Sequence, residues 1–356
     1  MNINYKEFPV TRYQGSKRKI VHWINDTLKK IDCRYDSVLD GFGGTASVSY
    51  LFKKLEKTVT YNDNLKFNFL IGQALIENQS TKLNIDRDIN DLMNYRSLQQ
   101  TVERNFEDYY FLPNENQWID NVAERIEQWY QDGRTYEAAI AYYAMFQACL
   151  IKRPFNLFHR KNLYIRTNDV KRNFGNKTSW EQPFDLLLNK FATEANKLIF
   201  DNGRPCRAIN SSVFDIDEYG YDLVYLDPPY FVAKDDHETS DYFRCYHFLE
   251  GLSKYSEWDQ LIDQDSSNKR LIVPEGGTKF TKVNISEKLD ELIYKFRSSI
   301  IVFSYKEGGV PSIEYIENTL RKHNKKVFTE SVHYKYALNR QNGDASKNRE
   351  VLIIAI

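Results

Sequence analysis

Four consecutive residues, Asp227-Pro228-Pro229-Tyr230, follow the apolar run Asp222-Leu223-Val224-Tyr225-Leu226. Adjacent prolines donate no backbone N–H and cannot continue a ladder, so they set a rigid turn at the strand's carboxyl end. Open α/β sheets place ligands at that end. The Asp227 carboxylate and the Pro228 carbonyl then stand as two neighbouring acceptors, with Tyr230 offering a planar face. Such a pair suits an exocyclic amino group. Together the acceptors take both N–H hydrogens and draw the nitrogen toward tetrahedral geometry. They also stabilise the positive charge that develops on it during group transfer. Tyr230 could stack on a base swung out of a duplex. A plain proline-rich turn after a strand is the competing reading.

Three further stretches bear on chemistry. Asp40-Gly41-Phe42-Gly43-Gly44-Thr45 joins an apolar strand to a helical pattern. Its glycines let backbone pass close to a ligand and lead that ligand to a helix N-terminus. A tight connection explains such a loop equally often, and the G-K-[ST] tail of a phosphate loop and the full G-x-G-x-x-G are both missing. In Asn62-Asp63-Asn64, Asp63 stands about 20 residues further on, where an acid accepts hydrogen bonds from ribose hydroxyls. It could equally cap a helix. Arg12-Tyr13-Gln14-Gly15-Ser16-Lys17 by itself reads as a turn into an amphipathic helix over residues 18–30.

The elements that must position these residues alternate in kind. Residues 37–40 read as a strand, 45–55 as a helix, 58–61 as a strand and 63–77 as a helix, a βαβα run that predicts a parallel sheet. Residues 78–203 carry long amphipathic patterns with no alternating strands. Among them, 135–151 is apolar enough for a buried helix. Strand-like runs return at 222–226, 300–305, 327–335 and 351–356, the last two flanking a polar loop as a hairpin that closes the sheet. The expected organisation is a catalytic domain of 1–77 and 204–356, interrupted by a mostly helical insertion of 78–203.

Composition sets the outer limits. The chain has 356 residues, 49 Lys and Arg against 49 Asp and Glu, 42% apolar residues and 15% aromatics. That length fits one large domain or two ordinary ones, and the apolar share excludes a disordered chain. There is no run of about 18 apolar residues to span a membrane. The N-terminus lacks the apolar core of a signal peptide. Cys33, Cys149, Cys206 and Cys245 are scattered without C-x-x-C spacing, and the histidines show no metal-ligand spacing. The expectation is a cytoplasmic protein without a metal. Zero net charge argues at first against a nucleic-acid partner, but the charge is unevenly placed. Residues 151–177 hold Lys152, Arg153, Arg160, Lys161, Arg166, Lys171, Arg172 and Lys177 against the single acid Asp169. Mixed with Phe, Tyr and Asn, these eight cations predict a DNA contact, with Lys17, Arg18 and Lys19 adding to it. Residues 233–246, acidic and loop-like, read as a flap that orders on DNA.

Taken in this order, the motifs resemble those of the D12 class of adenine-N6 DNA methyltransferases, the Dam-like enzymes, and above all the modification enzymes of type II restriction systems. The matching pattern is R-Y-x-G-x-K, then a D-P-F-x-G-x-G loop, an acidic N-D, an insertion for target recognition, and D-P-P-Y. The resemblance covers nearly the whole chain and implies a Rossmann-like fold binding S-adenosylmethionine. It implies that Tyr13 and Lys17 contact this cofactor, and that Asp40, Phe42, Gly43 and Gly44 line its methionine end. Asp63 would hold the ribose, Asp215 its adenine. Asp227, with Pro228, would stand where cofactor and target amine meet, and Tyr230 on the flipped adenine. It further implies duplex DNA as substrate, a partner restriction endonuclease and a monomeric enzyme. The segment Val302-Phe303-Ser304-Tyr305-Lys306-Glu307-Gly308-Gly309 resembles a strand-end motif that lines the target-base pocket. Two positions depart from the pattern: Gly41 stands where the family has proline, and Ala46 where it has the last loop glycine. The alternatives are methylation of cytosine N4 or of adenine in RNA, and a non-catalytic DNA-binding regulator on the same scaffold.

Overall fold

The computed structural model describes residues 3–10, 13, 15–31, 33–154, 156–168, 177–232, 241–273, 280–334 and 349–356. The chain divides into two compact units: 1–64 with 202–240 and 276–356, and 65–201 with 241–275.

The first unit is built on a seven-stranded sheet among the described residues. Its strands are β1 (Ser37–Asp40), β2 (Thr58–Asn62), β3 (Arg207–Ile209), β4 (Leu223–Leu226), β6 (Ile300–Lys306), β8 (Val327–His333) and β9 (Arg349–Ala355), in the order β3-β2-β1-β4-β6-β9-β8. Strands β3, β2, β1, β4 and β6 run parallel to one another, whereas β9 runs antiparallel to both β6 and β8. The hairpin expected at the C-terminal end is therefore present, and it inserts its second strand between β6 and the edge. Val38, Leu39 and all four residues of β4 are buried, as a parallel sheet covered on both faces requires. Each such side chain contributes roughly 1.5–3 kcal/mol by leaving water. Short strands β5 (Phe231–Val232) and β7 (Gly309–Val310) pair separately in antiparallel fashion. The strand order reverses between β1 and β4, so the crevice of this sheet opens where Asp40 and Asp227 end their strands.

The second unit is helical. Its centre is the helix Thr135–Ile151, buried on every side from Ala138 onward. Helices Pro113–Gln131 and Phe184–Leu198 pack against it. The helix Lys66–Gly72 also belongs here, with Phe67 edge-on to Phe146 at 5.8 Å. The unit boundary consequently falls at residue 65 rather than 78, and 241–275 joins the helical unit. Of the expected flap, 233–240 lies outside the described residues. From Tyr242 the chain is helical through Leu252, with Cys245 and Tyr246 buried, so this part is packed rather than loop-like.

Candidate active site

The loop after β1 is shaped by one close approach. A Cβ on Gly43 would stand 2.1 Å from Cε2 of Tyr61, which is fully buried and donates its hydroxyl to the Gly44 carbonyl at 2.8 Å. No larger residue fits there. Gly44 has φ +49°, and its N–H donates to Asp63 Oδ2 at 2.9 Å. Both departures from the family pattern keep this path. Ala46 itself adopts the left-handed conformation, φ +60°, just ahead of helix Ser47–Lys54. The Gly41 N–H donates to the Tyr225 carbonyl at 3.0 Å, a bond proline could not make, and ties the loop to β4.

Asp40, which opens the loop, is buried and accepts the Ser49 hydroxyl at 2.6 Å on Oδ2. Its Oδ1 has no hydrogen bond of normal geometry among the described residues. Burial pushes its carboxyl up to about 7, against the Ser49 bond and aided by the charges of Asp227 and Asp63. Phe42 lies 5.8 Å from Phe280, which lies 5.9 Å from Phe214, an aromatic row beside the glycines. Asp215 is exposed at the end of a short turn, Val213–Asp215, that follows β3. Tyr13 is half-buried next to Gly44; Arg12 and Gln14 lie outside the described residues.

At the end of β4, Asp227 meets Lys17. The ammonium lies 2.8 Å from each Asp227 oxygen and 3.2 Å from Glu350 Oε1. Burial pushes the Asp227 carboxyl up to about 6, with Lys17 opposing and Glu350 adding to the rise. Tyr230 packs edge-on to Tyr305 at 6.2 Å, and the Lys306 ammonium lies 5.5 Å from its ring centre. Pairing of β5 with β7 holds these two strand ends together. Asp40, the glycine loop, Asp63, Asp215, Lys17, Asp227 and Tyr230 thus share the carboxyl edge of one sheet.

The basic run divides differently from expectation. Lys152 is 3% exposed and Arg166 is 7% exposed; both bind Glu115, at 2.7 Å and 2.8 Å. Arg153 is buried, donates to the carbonyls of Leu157 and Arg160, and lies 4.5 Å from the Tyr110 ring centre. Burial lowers its guanidinium to about 9. These three cations hold the helical unit together and are not presented to a phosphate. Arg160 and Lys161 are exposed. Lys171 and Arg172 lie outside the described residues, as does the side chain of Lys177.

Residues 13–302 match the family described as D12 class N6 adenine-specific DNA methyltransferase. The chain belongs to this family. It is 27% identical over 331 residues to the type II methyltransferase M2.HphI of Haemophilus parahaemolyticus, covering 91% of each chain. It is 26% identical to the modification methylase StsI of Streptococcus sanguinis and to the type II methyltransferase M.FokI of Planomicrobium okeanokoites, spanning about half of each (50% and 47%). As a member of the D12 class it is a DNA adenine methyltransferase, and its relatives are modification methylases of restriction–modification systems. The α/β sheet with its reversal between β1 and β4 is the fold this chemistry uses. Family members take their methyl group from a donor. No helix of the described residues is long and apolar enough to cross a membrane. Sequence reasoning missed Glu350 at this site, where it accepts the hydroxyl of Ser304 from the 302–309 segment. The signal was a lone acid opening the apolar run Val351-Leu352-Ile353-Ile354.

Proposed function

We propose that the protein methylates N6 of an adenine extruded from duplex DNA, with S-adenosylmethionine as donor. The observation that carries this reading is the meeting of Asp227 and the Asp40–Gly44 loop on the two strands where the sheet order reverses. The residues present fit the cofactor. Asp40 Oδ1 is a buried acceptor suited to an ammonium, Gly43 leaves the backbone approachable, and Asp63 suits a ribose hydroxyl. Tyr13, Lys17, Phe42 and Gly44 would complete that pocket, with Asp215 toward the adenine end. When bound, S-adenosylmethionine supplies an electrophilic methyl on its sulfonium.

Asp227 and the Pro228 carbonyl accept the two N–H bonds of the target amine and keep its lone pair directed outward. As positive charge grows on that nitrogen, the carboxylate stabilises it, and the departing proton has Asp227 or water to receive it. Alignment of the reactants supplies much of the rate. Tyr230, steadied by Tyr305, stacks on the extruded base. DNA contact falls to Arg160, Lys161, Lys171, Arg172 and Lys177, with Arg153 pinning the Arg160 carbonyl and so positioning that loop. The reading includes a monomeric, cytoplasmic enzyme that protects DNA against a companion endonuclease. Replacing Asp227 by Ala should abolish methyl incorporation from tritiated cofactor while DNA affinity stays within about threefold, less than the tenfold that 1.4 kcal/mol represents. Near-normal turnover in that variant would overturn the assigned mechanism.

A further inference from the structure

We propose that Glu350 is a positioning residue for this methyl transfer: it holds the Lys17 ammonium between two carboxylates, so that the target amine meets a cluster with one net negative charge. The inference rests on the methyltransferase reading above and extends it to a residue at the far end of the chain. Glu350 is the second residue of β9, a strand two places from β4 in the sheet and directly beside β6, where it faces Lys306 in register. Its side chain is 1% exposed. One oxygen, Oε1, receives both the Lys17 ammonium at 3.2 Å and the Ser304 hydroxyl at 2.7 Å.

Lys17 alone would cancel the charge of Asp227, because it sits 2.8 Å from both carboxylate oxygens. A neutral pair attracts a developing ammonium only weakly. A second carboxylate on the same cation restores net negative charge to the cluster, inside a site where Coulombic terms are strong. A buried carboxylate is expensive to keep unless its partners hold it in place, and here Lys17 and Ser304 do so. Among the described residues, the other ionisable groups coupled to Asp227 include Asp40, Tyr225, Tyr230 and Tyr334. Of the acids Asp40 and Glu350, it is Glu350 that forms an ion pair with Lys17. Its charge also raises the Asp227 pKa.

The test is Glu350→Gln, which keeps the volume and the acceptor for Ser304. Expected are a kcat lower by about 10–100-fold and cofactor KM and DNA affinity near wild type. The acid limb of the kcat–pH profile should also move to lower pH, because Asp227 ionises more readily without its negative neighbour. Glu350→Asp keeps the charge and should recover part of kcat with the acid limb unmoved. If Glu350→Gln does not fold, a wild-type limb in Glu350→Asp supports the proposal and a shifted one contradicts it. Wild-type kcat and an unmoved limb in Glu350→Gln overturn the proposal, as does loss of cofactor and DNA binding with the limb unmoved. A wild-type enzyme that transfers no methyl to adenine would instead overturn the reading beneath it.

Discussion

Glu115 decides whether the basic run is built into the fold or offered to a ligand. Its carboxylate takes Arg166 at 2.8 Å on each oxygen and Lys152 at 2.7 Å, and accepts the Leu112 N–H at 2.9 Å. The carboxylate is 9% exposed, its two cations 7% and 3%. Glu115→Gln keeps the volume but leaves two buried cations without a counter-charge. Breaking a buried pair in this way costs roughly 3–5 kcal/mol. Lys152 can relieve part of that by releasing its proton, since burial already lowers its pKa. The expected loss is therefore about 3 kcal/mol, a large share of an ordinary domain's roughly 5–15. Urea unfolding followed by tryptophan fluorescence reads it directly, because Trp118 stacks on Phe184 at 4.7 Å in the cleft that Glu115 lines. The pH dependence has a definite sign. Burial pushes the Glu115 carboxyl up, but the bonds and charges of Arg166 and Lys152 outweigh it and hold it below the usual carboxylate range. Its contribution is thus fully present above the unfolded value, about 4.3, and lost as pH falls through the lower folded value. The variant should show a flatter profile in acid. A loss below about 1 kcal/mol, the level of a surface pair, with DNA affinity falling instead, would refute this reasoning and return Lys152 and Arg166 to the DNA contacts.

Three other outcomes follow from the same geometry. Gly43→Ala places a methyl 2.1 Å from the Tyr61 ring, where ordinary contact begins at 3.4 Å. It should cost roughly 1–3 kcal/mol in urea unfolding and weaken cofactor binding in calorimetry. An unchanged cofactor affinity would show that the loop does not line that pocket. Because the working form of Asp227 is the carboxylate and burial raises its pKa to about 6, kcat should be full above that pH and fall as pH drops through it. A flat profile from pH 5 to 8 would contradict the role, since those pH values bracket about 6. Replacing Arg160 and Lys161 together by Ala should reduce the slope of log affinity against log salt by roughly 0.9 per lost phosphate contact while leaving cofactor affinity intact, and an unchanged slope would place the DNA contact elsewhere.

What the sequence showed plainly was whatever is local. Asp227-Pro228-Pro229-Tyr230 and the Gly43-Gly44 loop are each fixed by a few adjacent residues, and the structure sets both at the crevice where their types suggest. The C-terminal hairpin was equally legible from its two apolar runs. Charge direction was not. A count of Lys and Arg over 151–177 says nothing of which way each points, and the acid that turns Lys152 and Arg166 inward lies far upstream at Glu115. A signal did exist: the helix before Lys152 is apolar on every face, so its end had to be buried too. Glu350 was hidden for the same reason, as its role depends on Lys17 more than three hundred residues away. The unit boundary at residue 65 was missed because the helical pattern of 63–77 fits a sheet crossover as well as a helical bundle. The packing of Phe67 on Phe146 and Tyr246 decides between them.

The central claim is that the acceptors at Asp227 and Pro228 present the N6 amine of adenine in duplex DNA. Expressing the chain in a host free of DNA methylation, then digesting that DNA and identifying its modified nucleosides by mass spectrometry, tests this most directly. The account predicts N6-methyladenine, at one short sequence and absent with Asp227→Ala. N4-methylcytosine, or DNA left unmodified by an enzyme that binds it, would contradict it.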